Sequence, residues 1–158
     1  MKSIVDTKSE SSIIMTRVFE APRETVWAVL TDPKHVRVWY GGHGFENPVC
    51  EMDVRPGGRW RHVMRTPDGS EHPSEFVFVD VIRPEKLSWR DASPRPGVHP
   101  SPLVVITLEE AGAKQTRWTM VARFETAADR AGAMQFGFTT VLDQGCDKLE
   151  AILRAAAT

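Results

Sequence analysis

The side chains of this 158-residue sequence best able to do chemistry are five histidines, two cysteines and an arginine-rich turn. Their spacing argues against most reactions. The histidines stand at positions 35, 43, 62, 72 and 99, and no two make an H-x-x-x-H pair. Cys50 and Cys146 lie far apart and join no Cys/His cluster with zinc spacing. They read as two reduced thiols. No G-x-S-x-G elbow exists, which disfavours an esterase of that design. Gly41-Gly42-His43-Gly44 is glycine-rich, but no Lys-Ser or Lys-Thr follows it, so it is no phosphate cradle. Arg55, Arg59, Arg61 and Arg65 could bind an anion or an acidic partner. Glu51, Asp53, Asp68 and Glu75 interleave with them, and a solvated strand face is the simpler reading. No catalytic residue, metal site or cofactor emerges. An enzyme stays uncertain and is the less favoured class.

What remains is binding. Strict alternation places Trp60, His62 and Met64 on one strand face and Arg59, Arg61, Val63 and Arg65 on the other. The arginine face should be wet, so the tryptophan face looks inward. An inward His62 could serve as a general base beside Asp53 or Glu75. The same alternation turns both carboxylates outward, which leaves His62 as a core or pocket residue. Trp60, Trp89 and Trp118, with Met52, Met64 and Met120, are either plain core or the lining of a cavity. Tryptophan and methionine conform to irregular apolar guests, and that favours a lining for the set.

Short elements must position these residues. Ile13 to Phe19 reads as a strand, followed by a short helix carrying Val26, Trp27 and Leu30. Pro22 suits the first turn of that helix. Asp32-Pro33 stops it, and a second small helix ends in Trp39-Tyr40. Strands follow at Val49 to Val54, Arg59 to Arg65, Glu75 to Ile82 and Lys86 to Arg90. Leu103 to Glu109 and Gln115 to Glu125 form a hairpin that turns Trp118, Met120, Ala122 and Phe124 inward. Thr66 to Gly69 fits a type I turn. Residues 93–102 hold four prolines and can only be a long loop, one that could overhang an opening. From Ala127 to Ala156, apolar residues recur every three or four positions: Met134, Phe138, Val141, Leu142, Leu149, Ile152 and Leu153. That stripe predicts one long helix packed by a single face. The alternative is a helix that begins only after Gly137.

The order of Ala21-Pro22 with Val26-Trp27, Asp32-Pro33, Trp39, Phe45, Asp53, Pro56-Gly57-Gly58 and Pro84-Glu85-x-Leu87 resembles one family. It is that of the activator of heat-shock-protein-90 ATPase homologues, in the START-like, helix-grip superfamily. The resemblance runs from about Thr16 to Leu153. It implies an α+β fold: an antiparallel β-sheet wrapped around a long C-terminal helix, with two short helices between the first two strands. It also implies a cavity between sheet and helix. The family more often has Gly-Pro after the tryptophan region, so Gly41-Gly42 predicts a looser loop here. Residues 1–12 are expected to be a flexible leader, and 13–158 a single START-like domain.

The expected function is therefore binding of a hydrophobic or amphipathic small molecule by Trp39, Phe45, Trp60, His62, Met64, Trp89, Trp118, Met120 and Phe138. A cyclase- or aromatase-like enzyme using the same cavity is the alternative, and a co-chaperone of a heat-shock ATPase a second one. Net charge of −1 gives no reason to expect nucleic acid. No apolar run approaches the ~20 residues that span a bilayer. With no apolar signal core near the N-terminus, a cytoplasmic location is expected. Residues 75–82 are apolar on both faces, through Phe76 and Phe78 on one and Val77, Val79 and Val81 on the other. Two dry faces suggest a homodimer that buries Phe76 or Val77 with part of the proline loop, the alternative being a monomer whose own 93–102 loop folds back over this strand.

Overall fold

The computed structural model describes residues 3–6, 9–92 and 101–156. Eight strands form one antiparallel sheet. They are β1 (Ile4–Asp6), β2 (Ser12–Phe19), β3 (Glu46–Met52), β4 (Arg59–Arg65), β5 (Glu71–Ile82), β6 (Lys86–Asp91), β7 (Leu103–Gly112) and β8 (Gln115–Arg123). Their order across the sheet is β1-β2-β8-β7-β6-β5-β4-β3. Helices α1 (Arg23–Thr31) and α2 (Pro33–Trp39) sit between β2 and β3, and α3 (Ala127–Gln135) and α4 (Phe138–Ala156) close the chain. Alternation works as expected on β4 and β8, where Trp60, His62, Trp118, Met120 and Ala122 are buried and Arg59, Arg61, Arg117 and Arg123 are exposed.

The α1–α2 corner is built from few residues. The Asp32 N–H bonds the Ala28 carbonyl and ends α1, while its carboxylate accepts from the Lys34 N–H and opens α2. The buried Trp39 indole N–H donates to the Val29 carbonyl at 3.0 Å, which fixes α2 against α1. Asn47 Nδ2 donates to the carbonyls of Arg37 and Tyr40, satisfying the end of α2 from the start of β3.

Helix α4 is held to the sheet by charge as well as by its apolar stripe. Ile13, Met15, Arg17 and Phe19 share the buried face of β2. The Arg17 side chain has no exposed surface. Its Nη2 lies 2.7 Å from Asp143 Oδ1 and 3.0 Å from Asp147 Oδ1, its Nη1 3.4 Å from Glu150 Oε2, and its Nε 2.9 Å from Ser3 Oγ. Those three carboxylates recur at four- and three-residue spacing, so one line of α4 presents them all.

Several expectations need correction. The segment expected to be a leader contributes β1, which pairs antiparallel with β2, Ile4 opposite Thr16. The second expected strand lies earlier, at 46–52, because Pro48 is tolerated on the sheet-edge strand beside an irregularity in its register. Strand β5 begins at Glu71 rather than Glu75. Pro73 fits there because pairing with β6 starts only at Phe76. The two-sided ambiguity of β5 resolves with Phe76 and Phe78 inward and Val77 and Val79 outward, so Phe76 cannot meet a partner subunit; past an irregularity in the pairing with β6, Val81 stands opposite the buried Leu87 and packs on the core. The proline loop expected at 93–102 lies outside the described residues except for Ser101 and Pro102.

The uninterrupted helix from Ala127 is also corrected. The Phe136 N–H bonds Gly132 O, the Gly137 N–H bonds Met134 O, and Gly137 takes φ +87°, so α3 ends in a left-handed turn before α4 starts. Three glycines in this region therefore have three different roles. A Cβ on Gly132 meets nothing within 4 Å, and Gly132→Ala should stabilise by about 0.5–1 kcal/mol. Gly137→Ala should cost about 1–2 kcal/mol for its left-handed backbone. A Cβ on Gly145 would stand 2.9 Å from the Trp39 carbonyl, so Gly145→Ala should destabilise by about 1–3 kcal/mol despite its better helix propensity. Urea midpoints of the three variants check this. Stabilisation by all three would contradict both the break at Gly137 and the close approach at Gly145.

Candidate functional site

A cavity of about 410 Å³ lies between the sheet and α4. Its sheet side is formed by Met64, Trp89, Ile106 and Trp118 from β4, β6, β7 and β8. The helix side is the α4 stripe of Phe138, Val141, Leu142, Cys146 and Leu149, with Gly145 between. Leu30, Trp39, Tyr40, Gly41 and Phe45 close the end nearest the α1–α2 corner. Thr66, His72, Ala133 and Phe136 stand where the cavity meets the surface; His72 is exposed and Phe136 is 93% exposed.

Of the nine residues expected to line a cavity, the structure brings six to it: Trp39, Phe45, Met64, Trp89, Trp118 and Phe138. Trp60, His62 and Met120 are core instead, 2%, 4% and 1% exposed. Alternation gives the face of a strand but not what lies above each position. Here the Tyr40 ring covers Trp60 and His62, with centroids 5.1 and 4.8 Å away, and only Met64 beyond them reaches the void. The sequence reading missed Tyr40, Ile106, Thr66, His72 and Cys146 as lining. The α4 stripe was the available signal for Val141, Leu142 and Leu149. His72 could have been found by continuing the inward row of β5, since it pairs with Met64 in register.

The glycine loop expected to be loose is bonded into α4. The His43 N–H donates to Gln144 Oε1, and Lys148 Nζ donates to Gly42 O, each at 3.0 Å. The arginine cluster is paired: Arg61 Nε lies 2.7 Å from Glu75, Arg59 3.3 Å from Glu75, and Arg55 Nε 2.8 Å from Asp53. Asp53 and Glu75 are thereby engaged on the outer side, away from His62.

The described lining carries no Asp, Glu, Lys or Arg. Burial pushes the Tyr40 phenol up to about 12 and the Cys146 thiol up to about 12, so both stay neutral near pH 7. Two indole N–H groups, of Trp60 and Trp118, are buried without an acceptor among the described residues. Such a donor costs about 1–3 kcal/mol. The Trp60 N–H falls short of hydrogen-bond geometry, yet lies near enough to the Cys50 thiol to oppose the rise that burial imposes on it. Among the described residues no three His, Cys, Asp or Glu converge on a metal site, and no helix is long and apolar enough to cross a membrane.

His62 is enclosed by Tyr40, Trp60 and Phe76, with ring centroids at 4.8, 5.4 and 5.5 Å. Burial lowers its pKa from 6.5 to about 4. The folded protein thus keeps His62 neutral while the unfolded chain takes up a proton below pH 6.5. Stability should fall between pH 6.5 and about 4 by up to about 3 kcal/mol from this group. His62→Phe should remove that component, so the variant gains on the parent as the pH drops through this window. Denaturation at pH 7, 5.5 and 4.5 measures it. Parallel stability curves would show that His62 is protonated in the folded state.

Comparison with known proteins places this geometry. A family model described as activator of Hsp90 ATPase homolog 1-like protein matches residues 20–154. Among solved structures, a Nitrosomonas europaea protein is 26% identical with a TM-score of 0.87, the match covering 96% of this chain and 99% of that one. A Mycobacterium smegmatis protein is 24% identical with a TM-score of 0.87, covering 99% of each chain. A Rhodobacter sphaeroides protein is 21% identical with a TM-score of 0.85, covering 98% of this chain and 99% of that one. The last two show the fold alone. No curated protein matches. With its sheet wrapped on α4 and the family match spanning most of its length, this chain belongs to the activator of Hsp90 ATPase homolog 1-like family and has the START-like, helix-grip fold.

Proposed function

We propose that the chain binds a hydrophobic or amphipathic small molecule in the cavity between the sheet and α4. The observation that supports this best is an apolar void of about 410 Å³ ringed by Trp39, Phe45, Trp89, Trp118 and Phe138. Its size falls within the roughly 300–1,000 Å³ range of small-molecule sites. A core of this size has no need of such a void, since interiors otherwise pack like organic crystals. Native mass spectrometry of freshly purified protein should show a co-purifying apolar ligand. The neutral dye Nile red should bind saturably and quench tryptophan fluorescence. Val141→Phe with Leu142→Phe fills the void from the helix side and should weaken the dye at least about tenfold, equivalent to 1.4 kcal/mol. Dye affinity that survives this filling, in protein that remains folded, would place the dye elsewhere and refute the cavity as the site.

A homodimer is proposed on a separate observation. The outer face of β5 carries Val77, Val79 and, past the irregularity in its pairing with β6, Ile82, and Val79 and Ile82 are 41% and 49% exposed. Val49, Val63 and Pro73 continue apolar surface across β3, β4 and β5 in register. A symmetric pair of such faces is a common way to cover them. Sedimentation equilibrium should give twice 17.7 kDa, and Val77→Glu should return the single-chain mass without unfolding. A single-chain mass for the parent protein at micromolar concentration excludes the dimer.

A further inference from the structure

Polarity along the inward face of the β4–β5 hairpin is graded. On β4 the inward row continues from Trp60 through His62 and Met64 to Thr66 just past the strand. On β5 it runs from Phe78 through Phe76 and Ser74 to His72. Both rows begin in buried aromatics and end, where the cavity meets the surface, in a hydroxyl and an imidazole. Elsewhere, among the described residues, the mouth is apolar, with Ala133 and Phe136. Deeper polar atoms are poor anchors. The Trp118 indole nitrogen is buried in its own packing and presents essentially no surface to the void. Tyr40 contributes a phenol and Cys146 a thiol, and the charge close to Cys146, that of Arg17, is committed to Asp143, Asp147 and Glu150.

We infer that the ligand is an amphiphile with one uncharged polar end, bound apolar end first, its polar end resting at the mouth against His72 and Thr66. This rests on the cavity being the binding site and adds to it an orientation and a chemical class. The end group is uncharged because no Asp, Glu, Lys or Arg among the described lining residues could pair a charge of either sign, and the nearest fixed charge on this hairpin is negative. Thr66 Oγ1 donates to the Asp68 carboxylate, which also accepts from the Ser70 N–H, so a carboxylate head would meet a carboxylate. The arginines of β4 cannot compensate, since Arg59, Arg61 and Arg65 are on the opposite face, paired with Glu75 and Glu71.

Displacement of Nile red by three ten-carbon probes tests this: 1-decanol, 1,10-decanediol and decanoate. Decanol should compete. The diol must bury a second hydroxyl in the apolar end and should bind at least about tenfold more weakly. Decanoate should also be about tenfold weaker than decanol. His72→Leu, at an exposed position, should weaken decanol about threefold to tenfold more than it changes Nile red. A diol equal to decanol would mean a polar partner at the deep end, such as Tyr40, and would overturn the orientation. Decanoate equal to or better than decanol would overturn the uncharged head. An unchanged decanol affinity in His72→Leu would remove the head from the mouth. Nile red binding without competition by decanol refutes this inference alone, whereas no saturable Nile red binding refutes the cavity reading and this inference with it.

Discussion

The position of α4 depends on a buried arginine. Arg17 sits with no exposed side-chain surface on the inner face of β2 and meets Asp143, Asp147 and Glu150 along one line of the helix. Taking a guanidinium out of water costs several kcal/mol unless its donors are satisfied by well-placed partners. The planar fork spends Nη1 and Nη2 on carboxylates and Nε on Ser3, so the arrangement tolerates few alternatives. A slide of α4 by one turn would put Thr139 and Cys146, or Ala151 and Arg154, in place of two of the three carboxylates. The ion cluster therefore sets the register of the helix over the sheet more narrowly than its apolar stripe could, because leucines and valines accept many neighbours.

The opposite side of α4 is fixed by backbone proximity. Gly145 brings the helix against the carbonyls of Trp39 and Gly41, and Gln144 and Lys148 bond the loop that follows α2. That loop is itself anchored by the Trp39–Val29 bond and by Asn47. Helix α4 thus has a firm contact on the β2 side and another at the α1–α2 corner. Between them the sheet curves beneath the helix, and the void lies in that span.

Much of the architecture was legible in the sequence because the contrast between faces was strong. Arg59 and Arg61 against Trp60 and His62, or Arg117 against Trp118, leave one assignment for each strand. β5 was not legible, since valines and phenylalanines are equally apolar and only the overlying helix distinguishes them. Arg17 shows the converse. Its phase with Ile13, Met15 and Phe19 turns it inward, but an arginine is ordinarily assigned to water, and its partners lie more than a hundred residues away. For the cavity, period-two alternation told the face and not the depth. Trp60 and His62 share Met64's face yet are capped by Tyr40, a covering that local pattern does not encode. The break at Gly137 was invisible to periodicity because the apolar spacing carries through it, and only the glycine hinted at it.

That break has a consequence for how the interior is reached. Helix α3 contains no buried residue, and its join to α4 is a single left-handed glycine. Its Arg130 Nε donates to the Ser12 carbonyl, yet little apolar surface holds it down. A segment with so little buried area opens at a small fraction of the free energy that unfolds the whole domain. Ala133 and Phe136, which border the void, travel with that segment. Local opening of α3 is therefore expected to be separable from global unfolding, since the Arg17 cluster holds α4 independently of it.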